Sequence, residues 1–442
     1  MRFSARDLAD ALNEQSPARL DGPDSFIDGV SFDSREVVAG QLFVPIVAER
    51  DGHDFVADAV AQGAVAYLSS RGPLPGVLAT CIAVRDTGEA LIDAARWART
   101  RFPGGTMAVG ITGSVGKTST KDFVTAALSG ERRVAASRKS FNNEQGLPVT
   151  ILNASPDTEV LVLEMGMRGF GQIDFLCRIA RPAIGVVTRV GEAHTSMVGG
   201  IDGVARAKGE LVEALPSFGF AVLNADDERV LSMSSRTSAR VLTYGEVPSA
   251  DVRITDVVLD DRGRPTFDVH TPVGHSEVRL SVPGRHMASN AGAAIAVGVA
   301  LGVSLDSMVS GLANAMVADH RMAEAVTTKG AMIVDDSYNA NPTSMEAALR
   351  TLASLPTSGK TAVLGLMAEL DDPATSHRKI ADLARTLGIQ VVAVETELYG
   401  IAPVSLSEAI DLVSSLGSTD AVLVKGSRVA GLERLVDAVS RR

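Results

Sequence analysis

The stretch Gly110-Ile111-Thr112-Gly113-Ser114-Val115-Gly116-Lys117-Thr118-Ser119 constrains this chain more than any other. It closes an apolar run, Met107–Ile111, and opens a helical pattern from Lys117 to Leu128. A strand, a glycine turn and a helix N-terminus together form a cradle in which backbone N–H groups and the helix dipole favour an anion. In such a cradle Lys117 reaches the β/γ-phosphates of a nucleotide and the Thr118 hydroxyl serves Mg²⁺. The first glycine of the strict G-x-x-x-x-G-K-[ST] spacing is replaced by Ile111, leaving a T-G-x-x-G-K-T-S variant. The stretch reads as a mononucleotide site formed by the Gly113–Gly116 backbone, Lys117, Thr118 and Ser119.

A parallel sheet built around this loop needs a large core, and 442 residues with 45% apolar content supply two or three domains. Lys plus Arg total 42 against 53 acidic residues, a net −11, which argues against nucleic acid or an anionic membrane as main partner. Two cysteines, Cys81 and Cys177, form neither a disulfide framework nor a metal-ligand spacing, so a reducing compartment is expected. The first residues hold no apolar signal core, and the longest apolar stretch, near Ala291–Val303, is too short and too glycine-rich to span a bilayer. A cytoplasmic protein without membrane insertion is expected.

Residues 1–103 alternate short apolar runs (41–47, 65–68, 81–84) with helical patterns (5–12, 55–62, 88–100), as in a small α/β domain; Arg101–Gly105 reads as its exit linker. Residues 104–317 continue from the phosphate loop with strand-like runs at 160–163, 184–187, 220–223 and 241–244, the alternation of a doubly wound parallel sheet. Segments 252–259, 266–270 and 277–282 then alternate with period two around the turn Asp261-Arg262-Gly263-Arg264-Pro265, which predicts an antiparallel patch, followed by an Ala/Gly-rich helix over 287–301. Residues 318–442 repeat the strand–helix alternation, with runs at 331–334, 361–366, 390–394 and 421–424, as in a Rossmann-like sheet. The expected fold class is α/β with three domains.

Ligands of open parallel sheets bind beyond the carboxyl ends of the strands. Glu164 follows the run Val160–Leu163; Thr188, Arg189, Glu192 and His194 follow the run ending at Val187. Asp335-Asp336 follow Ala331–Val334, and Lys425-Gly426-Ser427-Arg428 follow Ala421–Val424. A carboxylate ending a buried strand is costly unless it is paired or ligates a cation, which makes Glu164 a candidate Mg²⁺ ligand; the alternative is a cap for the next helix. A histidine such as His194 is by itself more often structural, and its claim rests on the loop that holds it; Asp335-Asp336 has a solvated turn as its alternative.

Several motifs occur in one order: the phosphate loop, Asn142-Asn143-Glu144-Gln145-Gly146-Leu147-Pro148, Glu164-Met165-Gly166, Ala193-His194, Ala207-Lys208-Gly209-Glu210, Gly284-Arg285-His286, Asn290, and Asp336-Ser337-Tyr338-Asn339-Ala340-Asn341-Pro342. Together they resemble the Mur ligases of peptidoglycan synthesis, and within that family the branch that adds a dipeptide. Phe32-Asp33-Ser34-Arg35, Gly40-Gln41-Leu42-Phe43 and Asp51-Gly52-His53-Asp54-Phe55 are similar to its uridine-nucleotide domain, so the resemblance covers essentially the whole chain.

The resemblance implies an ATP-dependent ligase joining D-alanyl-D-alanine to UDP-N-acetylmuramoyl-tripeptide through an acyl phosphate, with residues 1–103 holding the UDP-sugar, 104–317 the ATP and 318–442 the acceptor. It gives Gly113, Ser114, Val115, Gly116, Lys117, Thr118 and Ser119 to the ATP phosphates, and Thr118 and Glu164 to one Mg²⁺. A second Mg²⁺ would be served by His194 and by Lys208 after Lys208 reacts with CO₂ to a carbamate. Without that modification Lys208 is a cation unable to ligate a metal, and the sequence alone favours a surface lysine on a helix over 202–215 capped by Asp202. Asn290 is implied as the adenine contact, Arg321 and Asp336 as residues closing over ATP, and Ser34, Arg35 and Asn143 as residues near the UDP-sugar. A monomer is expected.

The chain departs from the family pattern in four places: Arg189 stands where an asparagine is usual, Thr195–Gly200 differ from the common sequence, Val47–Arg50 lack a usual glycine, and Asp371-Asp372 follow Glu369-Leu370 where a glycine is common. The sister ligase adding the third residue carries an Asp-Asn-Pro-Arg acceptor motif that is absent here; folylpolyglutamate synthase lacks the uridine-nucleotide domain. A non-catalytic ATP-binding relative is the alternative from another class, against which the set Glu164, His194 and Lys208 argues.

Overall fold

The computed structural model describes residues 1–138, 141–192 and 195–440. The chain groups into two compact units, Met1–Gly110 with Arg132–Gly166 and Ile173–Ala183, and Ile111–Glu131 with Met167–Gln172 and Ile184–Arg442.

In the first unit a sheet runs in the order Arg19–Asp21, Thr80–Ala83, Ala66–Ser69, Leu42–Phe43, Val30–Ser31, parallel except for its antiparallel first edge. Helix Ala5–Asn13 buries Ala5, Leu8, Ala9 and Leu12, one helical stripe, and Ser4 caps it by accepting from Asp7 N. Helix Thr87–Arg101 starts on Asp86, which accepts from Glu89 N. The buried strand Val160–Glu164 lies between Met107–Thr112 and Val134–Ala136 and is parallel to the latter. Asn153, ending helix Gly146–Asn153, accepts from Val30 N at 2.7 Å and donates to Val30 O at 2.9 Å, so an amide side chain completes the edge strand Val30–Ser31. This grouping puts residues 132–166 and 173–183 with the N-terminal segment, although the sequence suggests a boundary at 103.

In the second unit the strands Ile184–Val187, Phe220–Asn224, Arg240–Gly245 and Val252–Leu259 are parallel neighbours in that order. Pro265–Thr271 and Gly274–Arg279 continue the sheet antiparallel, as the period-two pattern predicts. The last of them begins and ends three residues before the expected 277–282, because the turn at Pro272-Val273 is short and the partner strand begins at Pro265, which has no N–H to carry the ladder past Arg279. The small residues of helix His286–Ala300 let it pack closely: a Cβ on Gly298 would lie 2.0 Å from Met308 Sδ.

The helix expected over 202–215 is two pieces, Ile201–Lys208 and Glu210–Glu213, and Gly200, with no side-chain bond, stands at its start in place of Asp202. Arg236 packs against the break. Its guanidinium donates to Ala205 O at 3.4 Å and Arg206 O at 2.9 Å, and a Cβ on Gly209 would stand 1.8 Å from Arg236 Nη1.

The remaining sheet of this unit has the order Ala323–Val326, Met332–Asp335, Asp420–Lys425, Gly359–Leu364, Gln390–Ala393, parallel apart from its first edge. Ile333, Val363, Val392, Val422 and Val424 form its core with Leu432 and Leu435. Among the described residues no helix is long and apolar enough to cross a membrane.

Candidate active site

The turn after strand Met107–Thr112 is shaped by two glycines that no other residue replaces without strain. Gly113 has φ +153° and a Cβ there would sit 1.8 Å from Thr188 Oγ1; Gly116 has φ +82° and its Cβ would meet Asn290 Oδ1 at 2.7 Å. Thr188 Oγ1 donates to Val115 O at 2.6 Å, with Thr112 O at 3.2 Å. Ser114 N donates to Arg189 O at 2.7 Å, and Ser114 Oγ exchanges hydrogen bonds with Gly191 O (3.0 Å) and Gly191 N (2.9 Å). The loop is thereby stitched to residues 188–191. Arg189 takes part through its backbone, so arginine in place of the usual asparagine leaves the stitch intact.

Helix Lys117–Leu128 starts on Gly116, which offers no side-chain cap, so its first N–H groups face the loop's concavity. Lys117 Nζ donates to Gly113 O at 2.9 Å, arching over the turn; Thr118 and Ser119 are buried at its floor.

A cavity of about 140 Å³ opens here, walled by Ser114–Ser119, Thr188, Arg189, Asn224, His286 and Asn290 on one side and by Arg321, Asp336, Asn339, Asn341 and Lys425 on the other. The structure thus brings together the loop, Asn290, Arg321 and Asp336, all expected from sequence; Gly113 contributes through its carbonyl. Arg321 lies over the Tyr338 ring at 4.2 Å, and its buried Nε has no hydrogen-bond partner. An orphaned guanidinium donor and a cradle that a Cβ would fill are what a bound polyphosphate satisfies.

His286 is half-buried against this cavity, and its pKa is pushed down to about 4 by burial; Asp336 opposes the shift, Lys425 and Arg189 reinforce it. Lys425 is buried beside Asp336, 2.5 Å from Oδ2. Thr188, His286 and Lys425 received no role from the sequence, although Thr188 and Lys425 stand at carboxyl ends of strands, where the topological rule points.

Glu164 is 1% exposed at the end of its strand, and its Oε1 accepts from Asn142 Nδ2 at 2.8 Å. Lys208 is not the surface lysine favoured by its helical pattern. It is 2% exposed, and burial, then the Lys117 charge, lower its pKa well below the ordinary lysine value. His194 lies outside the described residues. Among the described residues, no group of three or more His, Cys, Asp or Glu side chains is arranged to hold a metal.

In the first unit a second cavity, about 250 Å³, is walled by Ser31, Phe32, Asp33, Gln41, Arg138, Phe141 and Asn153, among others. Phe32 and Phe141 lie 5.5 Å apart. Ser34, Arg35 and Asn143 do not wall it. Arg35 is exposed and forks onto Asp33 at 2.9 and 2.7 Å; Asn143 Oδ1 accepts from Gly146 N at 2.9 Å, in the turn that leads into helix Gly146–Asn153.

Comparison with known proteins gives a consistent result. The Mur ligase middle domain matches residues 111–298, and the Mur ligase glutamate ligase domain matches residues 320–428. The UDP-N-acetylmuramoyl-tripeptide--D-alanyl-D-alanine ligase of Mycobacterium tuberculosis (strain CDC 1551 / Oshkosh) is 37% identical over 466 residues, covering 93% of this chain and 91% of that protein. MurF from Acinetobacter baumannii has a similar structure, with TM-score 0.86, 31% identity and 97% of each chain covered. MurF ligase from Thermotoga maritima in complex with ADP gives 0.78 at 28% identity, covering 93% of this chain and 96% of that one. The architecture is the three-domain α/β arrangement of those structures. The chain belongs to the Mur ligase family.

Proposed function

We propose that this chain is an ATP-dependent ligase that joins D-alanyl-D-alanine to UDP-N-acetylmuramoyl-tripeptide in peptidoglycan precursor synthesis. The observation that carries the reading is relatedness to ligases of that name along 93% of the chain. Its phosphate-loop cavity supplies the site such a reaction needs. In this reading residues 1–103 take the UDP-sugar, 104–317 the ATP and 318–442 the acceptor. A single chain carries every residue named, and a cytoplasmic monomer is the working unit.

Forming an amide from a carboxylate requires that a carboxyl oxygen first become a leaving group. The peptide carboxylate attacks the γ-phosphorus of ATP, releasing ADP and leaving an acyl phosphate; the acceptor amine then attacks the carbonyl carbon and expels phosphate. The Gly113–Gly116 backbone and the N-terminus of helix Lys117–Leu128 hold the phosphates, Lys117 and Arg321 offset the charge gathering at the γ-phosphate, and Asn290 faces the base. Mg²⁺, when bound, neutralises phosphate oxygens; Thr118 and Glu164 are assigned to one ion, His194 and a carbamate on Lys208 to another. The depressed pKa of Lys208 supports the carbamate, because only a neutral amine attacks CO₂. An α-amine titrates near ~8, so the acceptor must lose a proton before attack, and turnover rises towards alkaline pH. The cavity of the first unit, with Phe32 and Phe141 as aromatic walls, is assigned to the uridine end.

The test is a mass-spectrometric product assay with UDP-N-acetylmuramoyl-tripeptide, ATP, Mg²⁺ and a panel of amines. D-alanyl-D-alanine should be joined much faster than D-glutamate, L-lysine or meso-diaminopimelate. Preference for a free amino acid would favour the sister ligase, and phosphate release independent of the amine would favour a non-catalytic relative.

A further inference from the structure

Lys425 ends the central strand Asp420–Lys425 of the C-terminal sheet and is 1% exposed, the most deeply buried lysine of the cavity wall. An ammonium group has three protons to give. Here Nζ lies 2.5 Å from Asp336 Oδ2, 2.8 Å from Asn339 O and 3.4 Å from Asp336 O. All three directions are therefore spent on one neighbouring loop, and none is left for a phosphate. Two residues on, Ser427 Oγ reaches Ala340 O at 3.3 Å and accepts from Ala368 N at 2.8 Å, tying the same loop to the next strand's exit. The loop in question, Asp336–Asn341, forms the wall of the nucleotide cavity through Asp336, Asn339 and Asn341. It begins at the carboxyl end of strand Met332–Asp335 and ends at Asn341, which caps helix Pro342–Ser354 by accepting from Ser344 N.

From this geometry we infer that Lys425 is a positioning residue for ATP: its buried ammonium fixes Asp336, and with it the Asp336–Asn341 loop, in the orientation the nucleotide meets. The inference rests on the proposed ligase function for its assay and adds a residue to that site. The rival role for a lysine in such a cavity is direct contact with a phosphate, and the two differ in how they combine with Asp336. Asp336→Asn removes the charge that holds the pair and leaves the two backbone carbonyls as weaker acceptors, so a group acting through Asp336 adds little once that charge is gone, whereas a group on the phosphate contributes independently. Removing Lys425 alone also leaves a buried carboxylate without its cation, which endangers the fold, whereas removing both charges does not.

The experiment compares wild type, Asp336→Asn, Lys425→Met and the double variant Lys425→Met/Asp336→Asn, each checked for a cooperative thermal transition, with kcat and KM measured separately for ATP and for the UDP-tripeptide. Asp336→Asn should lower kcat/KM for ATP by about tenfold or more, the worth of one charge-assisted hydrogen bond. The double variant should match Asp336→Asn within about threefold, and the KM for the UDP-tripeptide should stay near wild type in both. If Lys425→Met folds, its ATP defect should equal that of Asp336→Asn; if it does not fold, the double variant against Asp336→Asn still decides. A double variant lower than Asp336→Asn by a further tenfold or more, or a Lys425→Met enzyme with wild-type ATP kinetics, would overturn the inference. An inactive wild type would instead overturn the proposed ligase function.

Discussion

Glu324 accepts both arms of the Arg264 guanidinium, Nε on Oε1 at 2.7 Å and Nη2 on Oε2 at 3.0 Å. Arg262 pairs with the same carboxylate, which is 12% exposed. The two arginines lie on the turn that opens strand Pro265–Thr271, and Glu324 lies on the edge strand Ala323–Val326, shortly after Arg321. This fork joins the two sheets of the second unit next to a residue of the nucleotide cavity. Glu324→Gln should cost about 1–2 kcal/mol, because the partly buried guanidinium loses the negative charge and one of its two acceptor oxygens, and meets an NH₂ donor in its place. Replacing the pair with Arg264→Leu/Glu324→Leu should recover part of the loss. Thermal unfolding of the variants measures the stability effect, and a severalfold rise in ATP KM for Glu324→Gln measures its reach to Arg321.

The phosphate loop makes a sharper prediction. Gly113→Ala puts a Cβ where Thr188 Oγ1 stands, at a φ that alanine rarely adopts. Thr188→Val replaces the hydroxyl bonded to Val115 O with a methyl, which removes the bond and crowds that carbonyl less severely than the Gly113 Cβ crowds Thr188. Gly113→Ala should abolish ATP turnover, and Thr188→Val should reduce kcat/KM for ATP by about tenfold. Lys117→Ala should lose turnover by several orders of magnitude with its fold intact, read by circular dichroism alongside phosphate release. Near-normal release from a folded Lys117→Ala protein would place the chemistry elsewhere.

The sequence was most legible where the signal is local. Apolar runs gave the buried strands Val160–Glu164, Ile184–Val187 and Asp420–Lys425, and the period-two pattern gave the change from parallel to antiparallel at Val252–Leu259. It was least legible where a residue far along the chain decides. The helix over 202–215 breaks where Arg236, 30 residues beyond Arg206, bonds the Arg206 carbonyl and packs against Gly209. Lys208 carries a surface-like charge in sequence, and only the packing of other segments shows it buried. The pair Asp336–Lys425 spans 89 positions, so strand order had to be known before the two carboxyl ends could be placed side by side.

His286 gives a pH dependence of defined sign. Its folded pKa lies near 4, below the ordinary 6.5, so between these values the unfolded chain binds the proton and the folded one does not. Its contribution is complete above about pH 6.5 and is lost as pH falls towards 4. The ring opens onto the cavity, where water screens part of the shift, so the loss is on the order of 1–2 kcal/mol. His286→Gln should flatten that part of the stability–pH curve in urea titrations. An unchanged slope between pH 6.5 and 4 would show that other groups carry it.

Lys208 bears the most demanding prediction, because its assigned role requires chemistry added to the side chain. The amine is fully buried at the end of helix Ile201–Lys208, and its pKa is lowered by burial and by Lys117. A buried ammonium in this setting is unfavourable, and a neutral amine is the form that reacts with CO₂, the new N–C bond forming as nitrogen loses a proton. The product is an anion, which Lys117 and a bound Mg²⁺ stabilise where they would repel an ammonium. Lys208→Ala should therefore fold and bind ATP but lose most ligation. Acetate or formate should restore part of the rate by returning a carboxylate to the vacated space, and chloride should not. Depleting CO₂ should slow the wild type and leave Lys208→Ala with formate unaffected. A Lys208→Ala enzyme of near-wild-type rate in CO₂-free buffer would exclude the carbamate.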